Sequence, residues 1–359
     1  MNSNIQSDNT VKIGISHGDI NSISYEVIIK SLMDNRIFDF FTPVLYGSSK
    51  IMAYHRKALN IPNFNLNSIK IIGEASPKKA HIINCVDDEI RVELGKSTTM
   101  AGKAALASLE KVTEDLKNGD LQILVTGPIN KDNIQSDSFN FPGHTEYLKN
   151  KFDIEEVLML MVSDKLRVGV VTGHIPLKDV SKSITKEAIL KKIRILNKSL
   201  IEDFAISKPK IAVLGLNPHA GDNGLIGKEE LEVIIPTIDI AREEGIFALG
   251  PYPADGLFGS KDYTEFDAIL AMYHDQGLAP FKSLSFTNGV NFTAGLPIVR
   301  TSPAHGTAYE IAGENIASAD SFRQAMYLAL DIYRNREMHK ELNVNPLMVS
   351  KNEFGSIRE

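Results

Sequence analysis

The sequence predicts an α/β fold. Short apolar runs alternate with amphipathic helical stretches, the pattern of parallel strands joined by crossover helices. The apolar runs end in polar, glycine-bearing turns. The composition, 43% hydrophobic and 23% charged over 359 residues, is that of a globular chain able to bury a large core.

Five β-rich runs are read, in chain order, at VKIGISHGD (11 to 19), LQILVTGPINK (121 to 131), LRVGVVTGHIP (166 to 176), KIAVLGLNPHAGDNG (210 to 224) and FDAILAMYHDQG (266 to 277). Three helices stand out between and after them. The first spans roughly Gly102 to Lys117, with Leu109, Val112 and Leu116 on its buried side and Asn118-Gly119 as a stop. The second runs from Thr185 to about Asp203, with Ile189, Ile193, Leu196 and Leu200 spaced 4, 3 and 4 along one face. The third starts near Asp320, read as its N-cap, and carries Phe322, Met326, Ala329 and Tyr333. No Pro-rich or Ser-rich linker separates two halves, so any domain division is crossed by short ordered segments.

The net charge of −6 and a pI near 5.9 argue against a nucleic-acid or anionic-membrane partner, which demands a basic face. An anionic ligand must therefore be held locally. Cys85 is the only cysteine and has no internal disulfide partner; the first sixteen residues, MNSNIQSDNTVKIGIS, have neither a basic start nor an apolar stretch of signal-peptide length. The chain reads as cytoplasmic. No run approaches the roughly 18 apolar residues of a spanning helix, and no repeat or low-complexity tract is found.

In open parallel sheets, ligands bind outside the carboxyl ends of the strands. Of nine histidines, His17, His174, His219 and His274 stand at such ends, while His144 and His305 lie in other glycine-flanked segments. A lone histidine there is most often a cap or core residue. His174, His219 and His274 occupy equivalent positions, 45 and 55 residues apart, and neighbouring strand ends would bring them together. Three converging imidazoles suit zinc, cobalt or manganese better than magnesium, which prefers oxygen ligands.

Anion-binding groups accompany them. Lys282, Asn291 and Arg300 fall within 19 positions; a guanidinium holds phosphate or carboxylate bidentately, and a lysine supplies a mobile charge. Lys282 is read as returned to the His274 pocket by a turn from Gly277 to Pro280. In FPGHTEYL, His144 and Thr145 follow a glycine turn and open a helix, a position that suits donors to phosphate.

Together the segments TGPINK (126 to 131), GHTEYL (143 to 148), VTGHIPL (171 to 177), GLNPHAGDNG (215 to 224), MYHDQG (272 to 277), GVNFTAGLPIVRTS (289 to 302) and HGTAYEIAG (305 to 313) resemble the 4-hydroxythreonine-4-phosphate dehydrogenase family of pyridoxal phosphate synthesis. The likeness spans nearly the whole chain. It implies an isocitrate/isopropylmalate dehydrogenase-like α/β/α architecture of two lobes with a cleft between them. Residues 1–130 with about 305–359 would form one lobe, and about 131–304 the other, carrying most metal and substrate residues. It also implies a homodimer with shared active sites, NAD or NADP as oxidant, and one divalent ion per site, zinc, cobalt, manganese or magnesium. The family's metal histidines fall on His174, His219 and His274, and its substrate contacts on His144, Thr145, Lys282, Asn291 and Arg300. His305 and Gly306 fall on the wider superfamily's adenosine-binding segment. No GxGxxG follows a strand, so a Rossmann-type site is not supported.

The chain departs from the family in one turn. Where the family commonly writes Gly-Asp-Pro-Ala-Gly-Ile-Gly-Pro-Glu, this chain has Gly18-Asp-Ile-Asn-Ser-Ile-Ser-Tyr-Glu26: two glycines have become serines and both prolines are lost, so positive φ is less available there.

The implied reaction oxidises C3 of 4-phosphooxy-L-threonine to 2-amino-3-oxo-4-phosphooxybutanoate, which decarboxylates to 3-amino-2-oxopropyl phosphate. Lys282 would neutralise phosphate or alkoxide charge, and Asp275 would orient His274 or relay a proton. The alternatives are a dehydrogenase of an aldonate 4-phosphate (D-threonate or D-erythronate), an acyltransferase of the same superfamily fold, which has no use for three histidines, and a two-lobed ligand-binding protein without chemistry.

Overall fold

The structure, a computed structural model, describes residues 10–87, 89–285 and 288–345. Residues 1–9, part of the segment read for a secretion signal, and the expected lobe end at 346–359 lie outside the described residues.

The strands are β1 (Val11–Ser16), β2 (Phe41–Gly47), β3 (Asn67–Ile69), β4 (His81–Asn84), β5 (Ile123–Thr126) and β6 (Leu158–Val162). They continue with β7 (Arg167–Thr172), β8 (Lys210–Leu214), β9 (Phe247–Tyr252), β10 (Ala268–Tyr273), β11 (Val290–Ala294) and β12 (Val299–Pro303). All belong to one sheet ordered β3-β4-β2-β1-β5-β12-β11-β6-β7-β10-β8-β9. The five runs picked out by sequence are β1, β5, β7, β8 and β10. Strands such as β2 and β5 are buried along their whole length, as expected where helices cover both faces of a parallel sheet.

The strands from β3 to β12 in this order are mutually parallel. So are β7, β10, β8 and β9. Between these blocks, β11 is antiparallel to both β12 and β6, and β6 is antiparallel to β7, so the two blocks point in opposite directions. That reversal at the sheet centre is a topological switch, where an open α/β sheet leaves a crevice.

The helix Lys186–Glu202 begins one residue after Thr185, whose hydroxyl accepts from Ala188 N–H, and its four spaced apolar residues are fully buried. The helix Thr99–Lys117 starts three residues before the expected Gly102, because Thr98 caps it by accepting from Ala101 N–H. Ala319, not Asp320, is the N-cap of the last helix, Asp320–Asn343; Asp320 is its first helical residue and accepts from Ser318 and Arg323.

The Gly277–Pro280 turn does not exist. His274–Leu284 is one helix with Pro280 inside it. Gly277 permits close packing: a Cβ there would lie 2.8 Å from Val168 Cγ1 of β7 and 3.0 Å from Ala271 Cβ of β10. Gly277, read as a turn residue, serves helix-on-sheet contact.

The divergent 18–26 turn is accommodated without strain. Within it only Gly18 has positive φ, +72°, and Gly18 is the glycine the chain keeps. Ser22 donates to Asp19 O at 2.6 Å and Ser24 to His17 O, so both serine hydroxyls are satisfied by backbone. Tyr25, where the family has proline, is fully buried and stacks on His55 at 4.9 Å between centroids. Among the described residues, no helix is long and apolar enough to cross a membrane.

Candidate active site

Sheet register builds the floor of the site. Asn291 of β11 pairs with Ser302 of β12 and Met161 of β6, and Thr293 with Met159. Residues two apart on a strand share a face. Arg300, Ser302, Asn291, Thr293, Met159 and Met161 therefore lie on one side of the central strands, joined by Thr126 at the end of β5. A cleft of about 270 Å³ sits over this face.

Two helices open into the cleft at their first residue. Gly143 is the N-cap of His144–Lys151, and Tyr273 that of His274–Leu284; neither helix has a side-chain cap, so their leading N–H groups are left for a ligand. His144, Thr145, His274 and Lys282 all line the cleft. Lys282 is there because it follows His274 by eight residues on one helix, with Leu278 between them on the same face, a rise of about 12 Å.

Arg300 is 3% exposed, yet among the described residues no carboxylate lies within ion-pair distance of it. Its Nη1 donates to Thr293 Oγ1 at 3.2 Å and its Nη2 to Thr126 Oγ1 at 2.7 Å. Burial lowers its pKa to about 10, partly opposed by Glu146. His144 is held well below its usual pKa by burial, then by the charges of Arg300 and Lys131, so its ring is neutral. Four buried polar atoms of residues lining this cleft have no partner among the described residues: His144 Nε2, Asn291 Oδ1, Arg300 Nε and His305 Nε2. Buried polar groups are ordinarily hydrogen-bonded, so four around one cleft mark a ligand site.

His174 and His274 face each other across the cleft, ring centroids 5.5 Å apart. Asp275 Oδ1 lies 2.7 Å from His274 Nδ1, which directs Nε2 of that ring away from the carboxylate. Lys131 Nζ donates to His174 Nε2 at 3.2 Å. Enclosure by the site, followed by the Lys131 charge, lowers the His174 pKa. His219 is apart from this pair. It is exposed in the segment Pro218–Gly224 after β8, has φ of +54°, and does not line the cleft. Among the described residues of one chain, no three His, Cys, Asp or Glu side chains form a metal cage. Two opposed imidazoles, one oriented by a carboxylate, fit a divalent ion in donor type, but the set is incomplete within one chain.

His305 and Gly306 line the cleft too, with His305 Nδ1 3.1 Å from Gly306 O. The orphaned Nε2 of His305 fits contact with a bound nucleotide. Sequence reasoning left Lys131, Glu146, Thr126 and Thr293 without roles. Lys131 and Glu146 stand inside the quoted TGPINK and GHTEYL segments, so the signal was present, but spacing does not tell which polar residue of a motif points inward. Asp19 ties the surrounding loops together: fully buried, it accepts from Asn21 N, Asn133 Nδ2 and Tyr309 Oη at 2.7 to 2.8 Å.

The family described as pyridoxal phosphate biosynthetic protein PdxA matches residues 39–329. A protein of Bacteroides thetaiotaomicron named 4-hydroxythreonine-4-phosphate dehydrogenase is 52% identical over 341 residues, covering 95% of this chain and 93% of that protein. A relative from Oceanobacillus iheyensis, provisionally named D-threonate 4-phosphate dehydrogenase, is 38% identical and covers 89% of this chain and 97% of its own length. The crystal structure of 4-hydroxythreonine-4-phosphate dehydrogenase from Klebsiella pneumoniae superposes with a TM-score of 0.79 at 32% identity, covering 90% of this chain and 97% of that one. With its family match covering most of its length and relatives this similar end to end, the chain belongs to the pyridoxal phosphate biosynthetic protein PdxA family.

Proposed function

We propose that this protein is a 4-hydroxythreonine-4-phosphate dehydrogenase, oxidising C3 of 4-phosphooxy-L-threonine with NAD or NADP as oxidant. The 3-oxo product, a β-keto acid, loses CO2 to give 3-amino-2-oxopropyl phosphate, a step of pyridoxine 5'-phosphate synthesis. The observation that carries this reading is the cleft itself: three cations, Lys131, Lys282 and Arg300, and four buried polar atoms without a partner among the described residues, all around one cleft.

Lys282 and Arg300 neutralise the phosphate, Asn291 and Thr145 fix its orientation, and neutral His144 donates from Nε2 to one of its oxygens. The open N–H groups at His144 and Thr145 favour the same dianion. When bound, the nicotinamide supplies a hydride acceptor and the divalent ion Lewis acidity at the C3 hydroxyl. His174 and His274 would hold that ion, with Asp275 keeping the His274 ring in place. His305 and Gly306 would meet the adenosine end of the nucleotide.

We read the protein as a cytoplasmic homodimer in which His219 of a second copy completes the donor set. The exposure of His219 outside its own chain's cleft supports this. The two parallel blocks of the sheet support division into two lobes meeting at the central strands. Purified protein should reduce the nicotinamide when given 4-phosphooxy-L-threonine, and a chelator should suppress the reaction. No reduction with either nicotinamide nucleotide, under added zinc, cobalt, manganese or magnesium, would overturn the assignment.

A further inference from the structure

Lys131 has no role among the substrate contacts named above, yet its surroundings are those of an anion-binding group. It lies on the loop that follows β5, lines the cleft, and places its ammonium 3.2 Å from His174 Nε2. Among the described residues no carboxylate lies within ion-pair distance of it, and the hydrogen bond to His174 leaves two of its three N–H donors unused. The phosphate-binding groups Lys282, Asn291 and Arg300 come from the other elements of the cleft, the His274–Leu284 helix, β11 and β12. A cation beside the imidazole pair, on a different element from Lys282 and Arg300, suits a ligand with two anionic ends.

We propose that Lys131 binds the carboxylate of the substrate, at the opposite end from the phosphate, and so positions C3 between the two. This rests on the reading of the substrate as a phosphorylated hydroxy acid. Both 4-phosphooxy-L-threonine and an aldonate 4-phosphate carry a carboxylate on C2, so the inference holds whichever of them the protein uses. The carboxylate replaces no ion pair among the described residues, where Lys131 has only the neutral imidazole to give up.

The test compares wild type with Lys131→Met, which keeps the aliphatic stem, and Lys131→Arg, which keeps the charge. Wild-type turnover of the two acids reports on the reaction alone; the ratios between variants report on Lys131, using the better substrate. Loss of one charge-assisted contact should raise KM by about tenfold or more in Lys131→Met. Competitive inhibition by inorganic phosphate should stay within about twofold of wild type, and Lys131→Arg should recover most of the lost affinity. Calorimetric binding of the same acid gives these ratios even where turnover is slow. An unchanged KM, or phosphate inhibition weakened in step with KM, would overturn the proposal. Equal impairment of both variants would assign the position to packing and overturn it as well.

Discussion

Arg300 should be a liability to the free protein and indispensable to the ligand-bound one. Arg300 is 3% exposed, its guanidinium is bonded among the described residues only to two threonine hydroxyls, and burial brings its pKa from 12.5 to about 10. The folded state thus carries the charge at a penalty that is full at neutral pH and fades only as pH climbs through 10. At about 1.4 kcal/mol per pKa unit the penalty is about 3 kcal/mol. Replacing Arg300 by methionine removes it, forfeits about 3 kcal/mol from the two charge-assisted threonine bonds, and keeps most of the side-chain volume. Arg300→Met should therefore be within about 1 kcal/mol of wild type, whereas truncating an ordinary buried side chain costs about 2 to 5 kcal/mol. Urea unfolding with and without inorganic phosphate checks both halves. Phosphate at about a hundred times its Kd should stabilise wild type by about 2.7 kcal/mol and leave the variant nearly unmoved. A variant more than 2 kcal/mol weaker than wild type, with an intact phosphate response, would refute the reasoning.

Three further outcomes follow from the same structure. His17 and His55 flank buried Tyr25, and burial lowers both to a pKa of about 4, so stability should be full above pH 6.5 and fall as pH drops toward 4, by about 2 kcal/mol per histidine at pH 5; urea midpoints should show this slope, and His55→Gln should flatten it. His274→Ala should lose bound divalent metal by elemental analysis while Lys282→Ala keeps it and raises KM; full occupancy in His274→Ala would remove that residue from the metal site. Mixing His219→Ala with His274→Ala subunits should restore some activity if sites are shared between copies, and no recovery in verified heterodimers would favour self-contained sites.

Much of this was legible in the sequence, where local chemistry and burial agree. Thr185 and the 4-3-4 spacing after it mark a helix because the cap and the apolar face reinforce each other. The five strand ends were legible because parallel strands are continuous apolar runs closed by glycine turns. The segment from His274 to Lys282 was misread because Gly277 and Pro280 signal a turn locally, while the packing that selects glycine there comes from β7, a hundred residues earlier. The convergence of His174 and His274 was readable from equivalent strand-end positions. The displacement of His219 was not, since the fold of residues 218–224 depends on left-handed conformations at non-glycine residues that propensity does not announce. Likewise the loss of two glycines in the 18–26 turn makes positive φ less available there. The structure needs positive φ only at Gly18.

The most direct measurement is a competition in which the protein meets 4-phosphooxy-L-threonine and D-erythronate 4-phosphate together, each at the same concentration, with a divalent ion and nicotinamide nucleotide supplied. Following the disappearance of both acids by NMR gives the ratio of their kcat/KM values directly. Consumption of the amino acid at least about tenfold faster is the predicted result, equivalent to about 1.4 kcal/mol of discrimination between ammonium and hydroxyl at C2. Preferential consumption of the aldonate would contradict the assignment to pyridoxal phosphate synthesis.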